Sequence, residues 1–328
     1  MGSISELPQA PGSRGAGPLD GITVLDFSRV LSGPHCARVL ADLGADVIKI
    51  EPPEGDMTRY ATPRVNSLAT YHVQQNIGKR VISLDLKKPE AVRLLLRLAE
   101  KADVVLENFR PGVMERSGLG YPQLSKVNPR IVYASISGFG QTGPWKNRRA
   151  YAAVVQAESG LTRSQVEAQR RRQADFPYVT DEHSHGDVYT SLETAIAICS
   201  ALYRRSVTGR GQHIDVAMMD TLLAINEHLN ADLFEGEVPK NSVRSFQPGD
   251  YPILTVADGR SVIISGHPAE DGTFATWAKI LGRPNLAEED VRFATVGSRI
   301  AHLDVLSEML LAWACEFPDV ESIERVCE

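Results

Sequence analysis

The sequence predicts an α/β protein, with an open, doubly wound, largely parallel sheet in a large first domain and a smaller α+β domain after it. Two observations predict the first part. From Gly21 onward short apolar runs alternate with stretches of helical spacing, and those stretches are long enough to cross between parallel strands. A third observation marks the second domain: residues 233–250, FEGEVPKNSVRSFQPGDY, are polar and carry Pro and Gly between two regular regions.

The elements follow in order. Residues 1–17, MGSISELPQAPGSRGAG, lack an apolar stretch and read as a disordered leader. Glu6 stands where a myristoylation pattern needs Ser or Thr. GITVLDFS is a first strand, and a helix is expected between Pro34, whose fixed φ suits a helix start, and Gly44, a natural stop. ADVIKIE, RVISLDL, DVVLENF and IVYASISGFG are further strands, with PEAVRLLLRLAEKA a helix among them. VYTSLETAIAICSALYRR has little polar face, since Leu192, Ala195, Ile196, Ile198, Cys199, Leu202 and Tyr203 spread around it, so a helix buried in the core is expected. After the turn at Gly209 and Gly211, HIDVAMMDTLLAINEHL is a strand and a helix. The expected boundaries are 18–203 for the large domain, 204–232 for a linker and 233–328 for the small domain. In the last, a hairpin is expected around Asp258-Gly259, with helices near TFATWAKILG and LDVLSEMLLAWAC.

Composition removes several function classes. Of 328 residues, 43% are hydrophobic and 23% charged, which excludes a wholly disordered or collagen-like chain. The apolar runs are too short to span a bilayer, so no membrane partner is expected. A net charge of -6 gives no support to a nucleic-acid partner, and Arg148, Arg149 and Arg170 to Arg172 read as solvated loop cations. Cys36, Cys199, Cys315 and Cys327 are scattered without a CxxC pair, which points to reduced thiols in a cytoplasmic setting. Ligands of open α/β sheets bind outside the carboxyl ends of the strands, here the loops SRVLSGP, EPPEGDMTR, ENFRPG and SGFGQTGP. None is a GxGxxG or Walker loop, which argues against dinucleotide and nucleoside-triphosphate binding.

The stretch HSHGDVYTS at 183–191 is the densest in chemistry. His183, His185 and Asp187 alternate as zinc ligands on a strand would, but no second His or Cys cluster completes such a site. A polar loop capping the next helix is a second reading. The third makes Asp187 a covalent nucleophile, one or two residues ahead of the first turn of a buried helix whose dipole keeps it ionised. These residues alone do not choose among the three.

Long motifs elsewhere do. PLDGITVLDFSRVLSGPHCARVLADLGADVIKIEPPEGDMTR, KRVISLDLK, ADVVLENFRPGVMERSGLGY, NPRIVYASISGFGQTGP and TGRGQHIDVAMMDTLL occur in this order from Pro18 to Asn230, and together they resemble the class III CoA-transferase family. This family includes formyl-CoA transferase, the carnitine CoA-transferases and α-methylacyl-CoA racemase. The resemblance implies a Rossmann-like large domain, a smaller α+β domain and an interlocked homodimer. It implies an enzyme that moves CoA from an acyl-CoA donor to a small carboxylic acid, with no cofactor beyond coenzyme A as substrate and no metal. Transferases of the family carry an aspartate 21 positions before the Thr of the TGRG turn, and counting back from Thr208 lands on Asp187, preceded by Gly186. Asp187 is thereby identified as the nucleophile, through an aspartyl mixed anhydride and an aspartyl-CoA thioester, with Tyr151, Gly186 and His185 lining the substrate pocket. The CoA-contacting positions implied are Val30, Leu31, Lys79, Arg80, Leu84, Asn108, Phe109, Arg110 and Arg116.

Departures from the family pattern narrow the reading. Racemases of the family use a histidine where this chain has Tyr151, and a phenol is a poor base for an α-proton at neutral pH. A racemase or isomerase, or a catalytically silent CoA-binding protein, are the alternatives to transfer. Ala152 stands where formyl-CoA transferase has a glutamate, and that enzyme's glycine-rich lid has no counterpart in residues 240–270, which argues against formyl and oxalyl substrates. Members usually continue past the point matching Glu328, so the sequence reads as a shortened form.

Overall fold

The alternation of apolar runs with helices builds a six-stranded, wholly parallel sheet. The computed structural model describes residues 17–170, 182–226, 253–263 and 266–327. In chain order its first part comprises β1 (Thr23–Asp26), α1 (Ser32–Asp42), β2 (Asp46–Glu51), β3 (Arg64–Val65), β4 (Leu68–Ala69), α2 (Thr70–Asn76), β5 (Arg80–Ser83), α3 (Pro89–Ala99), β6 (Val104–Glu107), α4 (Val113–Arg116), α5 (Tyr121–Val127), β7 (Val132–Ser137), α6 (Ala152–Glu158), α7 (Leu161–Arg170), α8 (His185–Thr208), β8 (Gln212–Ala217) and α9 (Met218–Ile225). The sheet order is β5-β2-β1-β6-β7-β8, with every neighbour parallel. This is the 3-2-1-4-5-6 arrangement of Rossmann-like sheets, whose direction reverses between β1 and β6. The strands are continuous apolar runs because both faces are covered. Val24, Leu40, Val104, Ile136, Ile198 and Leu222 form the core on the face of α1, α8 and α9, and Leu25, Leu95, Val105, Leu119, Leu124 and Tyr133 form the other.

Three expectations change. Residues 204–226, expected as a linker, finish α8 and supply the edge strand β8 and helix α9; β8 pairs with β7 from Gln212 to Ala217. The helix α1 starts at Ser32, two residues before Pro34, while Gly44, at φ +103°, follows its end as expected. Helix α8 is not wholly buried. Thr190, Thr194, Ala195, Ile198 and Leu202 face the core, but Leu192, Ile196 (66% exposed), Tyr203 (74%) and Val207 form an outward apolar stripe. An apolar count around a helix cannot tell a core helix from one whose second face lacks a neighbour in the single chain.

The chain groups into two compact units, Met1–Asn230 and Ala231–Glu328. The second holds the expected hairpin, β9 (Ile253–Thr255) against β10 (Ser261–Ile263), and the helices α10 (Asp271–Ile280), α11 (Leu286–Glu289), α12 (Val296–Ala301), α13 (Leu303–Ala314) and α14 (Val320–Cys327). Its own core gathers Leu254, Phe274, Trp277, Phe293, Leu306 and Leu310. The leader 1–16, the boundary stretch 227–252, Asp181, Arg171 and Arg172 lie outside the described residues.

Buried charge supports the carboxyl ends of β1 and β2. Asp26 ends β1 and binds the Lys79 ammonium at 3.0 Å, both side chains fully buried. Lys49 on β2 binds Asp56 at 3.2 Å and the Ser28 carbonyl at 2.8 Å. Burial alone would raise the pKa of both carboxyls, but the two ammonium groups and hydroxyl donors hold them below the ordinary range. The Lys79 ammonium also donates to the Pro34 carbonyl and the Asn76 side chain, each within 2.9 Å, and its side chain is fully buried, which argues against Lys79 as one of the CoA-contacting positions. Lys49→Met leaves Asp56 buried without its cation, and urea unfolding should register a loss of about 3–5 kcal/mol; a loss under about 1 kcal/mol would mean that this pair does not hold the loop.

Candidate active site

The loop between β1 and α1 is held on four sides. The Ser28 amide donates to Asp26 at 2.9 Å. Gly33 packs so tightly on Ser28 that a β-carbon there would lie 2.0 Å from the serine Cβ, which explains a glycine in the first turn of α1. Asn108, from the loop after β6, accepts from the Arg29 amide and donates to the Arg29 carbonyl, both at 2.8 Å, and reaches Ser32 Oγ at 3.0 Å. The Val30 amide donates to Asp56 at 3.3 Å, and Val30 sits at φ +66°, a region a β-branched residue rarely adopts. The carboxyl ends of β1, β2 and β6 thus converge on one turn.

Asp187 meets that turn from the other side. It lies in the first turn of α8, inside the helix rather than ahead of it. The hydroxyl and the backbone N–H of Ser32, the latter one of the donors that the start of α1 leaves unpaired, face its carboxylate and pull its pKa down. The carboxylate therefore sits at the amino ends of two helices. Burial nevertheless prevails and raises its pKa above the ordinary carboxylate value, the two Ser32 donors offsetting only part. Tyr71 on α2 senses the same charge: its pKa is pushed up to about 12, by burial first and then by Asp187 and Asp56. Ser32 and Tyr71 were not expected from sequence. Ser32, a small hydroxyl residue just before a helix proline, had a local signal; Tyr71 had none.

The other expected residues divide. The Gly186 amide donates to Gln156 on α6 at 3.2 Å, and Ala152 lies against it. His185 stacks on Tyr189, ring centres 5.5 Å apart, with His183 5.8 Å beyond. Asp187 meanwhile turns to Ser32, and among the described residues no group of three or more His, Cys, Asp and Glu is placed to hold a metal. Tyr151, at the start of α6, is 72% exposed. Val30, Leu31 and Asn108 stand together at the turn, and the Phe109 ring lies under the Arg29 guanidinium, 5.2 Å away. The Leu84 amide continues the sheet to the Glu51 carbonyl at 2.8 Å. Arg80 is exposed but bound to Asp46, with Nε at 2.9 Å. Arg110 is exposed. Arg116, with Lys87 and Arg93, lines an open surface cleft of about 540 Å³ floored by Leu86, Pro89 and Val92.

The profile of CoA-transferase family III matches residues 19–328. The chain is 39% identical over 301 residues to the acetyl-CoA:oxalate CoA-transferase of Acetobacter aceti, covering 90% of this chain and 74% of that one. It is 37% identical over 313 residues to the succinate–glutarate CoA-transferase of Agrobacterium fabrum, covering 90% and 75%. The structure aligns with a crystal structure of a CAIB/BAIF family protein from Brucella suis at a TM-score of 0.78 and 35% identity, over 95% of this chain and 82% of that one.

A carboxyl whose folded pKa lies above its unfolded value costs stability once ionised. The cost is absent below the ordinary carboxylate range and grows as pH rises through the raised value. Asp187→Asn, which keeps an acceptor for Ser32 without the charge, should therefore raise the melting temperature at pH 7, with the gain vanishing in acid. An unchanged or lower melting temperature at pH 7 would contradict the buried-charge account.

Proposed function

The chain belongs to CoA-transferase family III, and from that premise we propose that it moves coenzyme A from an acyl-CoA donor to a small carboxylic acid, with Asp187 as the nucleophile. The observation that supports the assignment is the buried Asp187 carboxylate in the first turn of α8, with the Ser32 hydroxyl and N–H at the start of α1 acting on its charge. An aligned, partly desolvated carboxylate with a raised pKa is a stronger nucleophile than one in water. It attacks the thioester carbonyl and expels CoA thiolate, leaving a mixed anhydride. The thiolate attacks the aspartyl carbonyl, releasing the donor acid and leaving an aspartyl-CoA thioester. The acceptor carboxylate displaces CoA thiolate to form a second anhydride, and thiolate attack on the acceptor carbonyl restores Asp187. No net proton is consumed, so coenzyme A as substrate suffices and no further cofactor is needed.

The cleft at Arg116 with Lys87 suits the phosphates of the CoA nucleotide, since ammonium and guanidinium groups bind phosphate by charge-assisted hydrogen bonds. The turn at Val30 and Leu31, with Asn108 and Phe109, would then receive the acyl end, and Arg80 and Arg110 flank the path. Tyr151, Gly186 and His185 would line the acid pocket. The outward apolar stripe of α8 supports burial against a second copy in an interlocked homodimer. Among the described residues no helix is long and apolar enough to cross a membrane, and all four cysteines are free thiols, which supports a reducing, cytoplasmic setting.

Asp187→Ala should lower CoA exchange by roughly 10⁴-fold or more while CoA still binds. Mass spectrometry of the parent after a panel of acyl-CoA donors should find an acyl or CoA adduct on the peptide carrying Asp187. Near-normal turnover in the variant would remove Asp187 as the nucleophile, and deuterium uptake at the α-carbon without any acceptor acid would favour an isomerase instead.

A further inference from the structure

A second polar constellation lies on the opposite side of β6 from β1. The parallel register sets Glu107 beside Ser135 and Asp215, and Val105 beside Tyr133 and His213, so these side chains share one face of the sheet. Glu107 is buried and is the last residue of β6. Its Oε2 accepts the Phe109 amide at 2.8 Å, and Ser135, its neighbour in the register, lowers its pKa. Ser135 Oγ lies 2.9 Å from His213 Nε2. His213, Ser135 and Glu107 thus stand side by side across β8, β7 and β6, with Ser135 between the other two. The His213 ring is clamped, stacked on Tyr121 with centres 5.2 Å apart and edge-on to Tyr133 at 5.3 Å. On the next loop, Asp215 accepts the Gln141 amide at 2.9 Å.

We propose that Glu107, backed by Ser135 and His213, is the positioning residue of the acyl-CoA loop: it fixes the Phe109 backbone, and with it Asn108 and the turn that presents Ser32 to Asp187. The inference rests on the transfer reading given above. Glu107 is a buried carboxyl whose hydrogen bond fixes the backbone of a stretch assigned to ligand binding. If the carboxyl takes up a proton, Glu107 becomes a neutral acid at the end of β6. The grip on Phe109 would then weaken, because a carboxylate accepts more strongly than a neutral acid.

The surroundings set where this happens. Burial pushes the Glu107 pKa up to about 7, the Ser135 and Phe109 donors pull it down, and the negative charges of Glu115 on α4 and Asp215 on β8 add to the rise. His213 itself is shifted down by burial, and the Tyr133 phenol is shifted up. The KM for acyl-CoA, and the Kd for free CoA measured by calorimetry, should therefore be lower above pH 7 and rise below it. In Glu107→Gln both should become flat across pH 6–8, near the parent's acid-side values. Glu107→Ala frees the Phe109 amide and should raise KM by roughly 10- to 100-fold, with kcat far less affected. Ser135→Ala removes a donor that lowers the Glu107 pKa and should move the inflection to higher pH. A parent-like pH profile in Glu107→Gln, or an unchanged KM in Glu107→Ala, overturns the inference; should the alanine variant not fold, the glutamine and serine variants decide it. A parent that binds CoA with the expected profile but transfers none would instead overturn the transfer reading and leave the loop assignment standing.

Discussion

Two buried ion pairs, Asp26 with Lys79 and Lys49 with Asp56, are the constraint on which the candidate site depends. Neither pair is a cheap way to stabilise a core, because burying charge costs several kcal/mol per ion before the partners repay it. Their value is geometric. Lys49 holds the Ser28 carbonyl, Asp26 holds the Ser28 amide, and Asp56 holds the Val30 amide, so the backbone from Ser28 to Val30 has one conformation available. A valine at positive φ persists only where its surroundings overdetermine it. The turn can then deliver Ser32 to a fixed point at the head of α1.

That fixed point matters because the electrostatics at Asp187 are a contest. The amino ends of α1 and α8 favour the charged carboxylate, whereas loss of solvent disfavours it, and burial wins. The outcome suits the proposed chemistry, which asks for a carboxylate that is aligned yet poorly solvated. On the far side of β6, Glu107 faces a similar contest, and burial pushes its pKa up to about 7.

Much of this was legible in the sequence. The strand and helix alternation gave the doubly wound sheet, and the count to Thr208 singled out an aspartate that does lie at a helix start beside the β1 loop. What stayed hidden shares a cause. Lys79 reads as a free cation in a polar stretch, because its partner Asp26 is in another strand. Residues 204–226 read as a linker bearing a strand and a helix, because nothing local says that the strand joins the main sheet beside β7. The outer stripe of α8 reads as core, because hydrophobicity records that a surface is covered without recording by what. Each miss concerns a contact between residues far apart in the chain, and periodicity is silent on those.

The Asp187 carboxylate is carried by α8, but the donors that act on its charge belong to Ser32 of α1, near the opposite end of the sheet-forming chain. The reactive group is thus not a local property of HSHGDVYTS. An emerging or partly unfolded chain carries the aspartate but not its donors, and there it is an ordinary hydrated side chain. In the proposed transfer, acyl-group reactivity is in this way withheld until α1 and α8 have packed together on one face of the sheet, so that assembly itself acts as the safety catch.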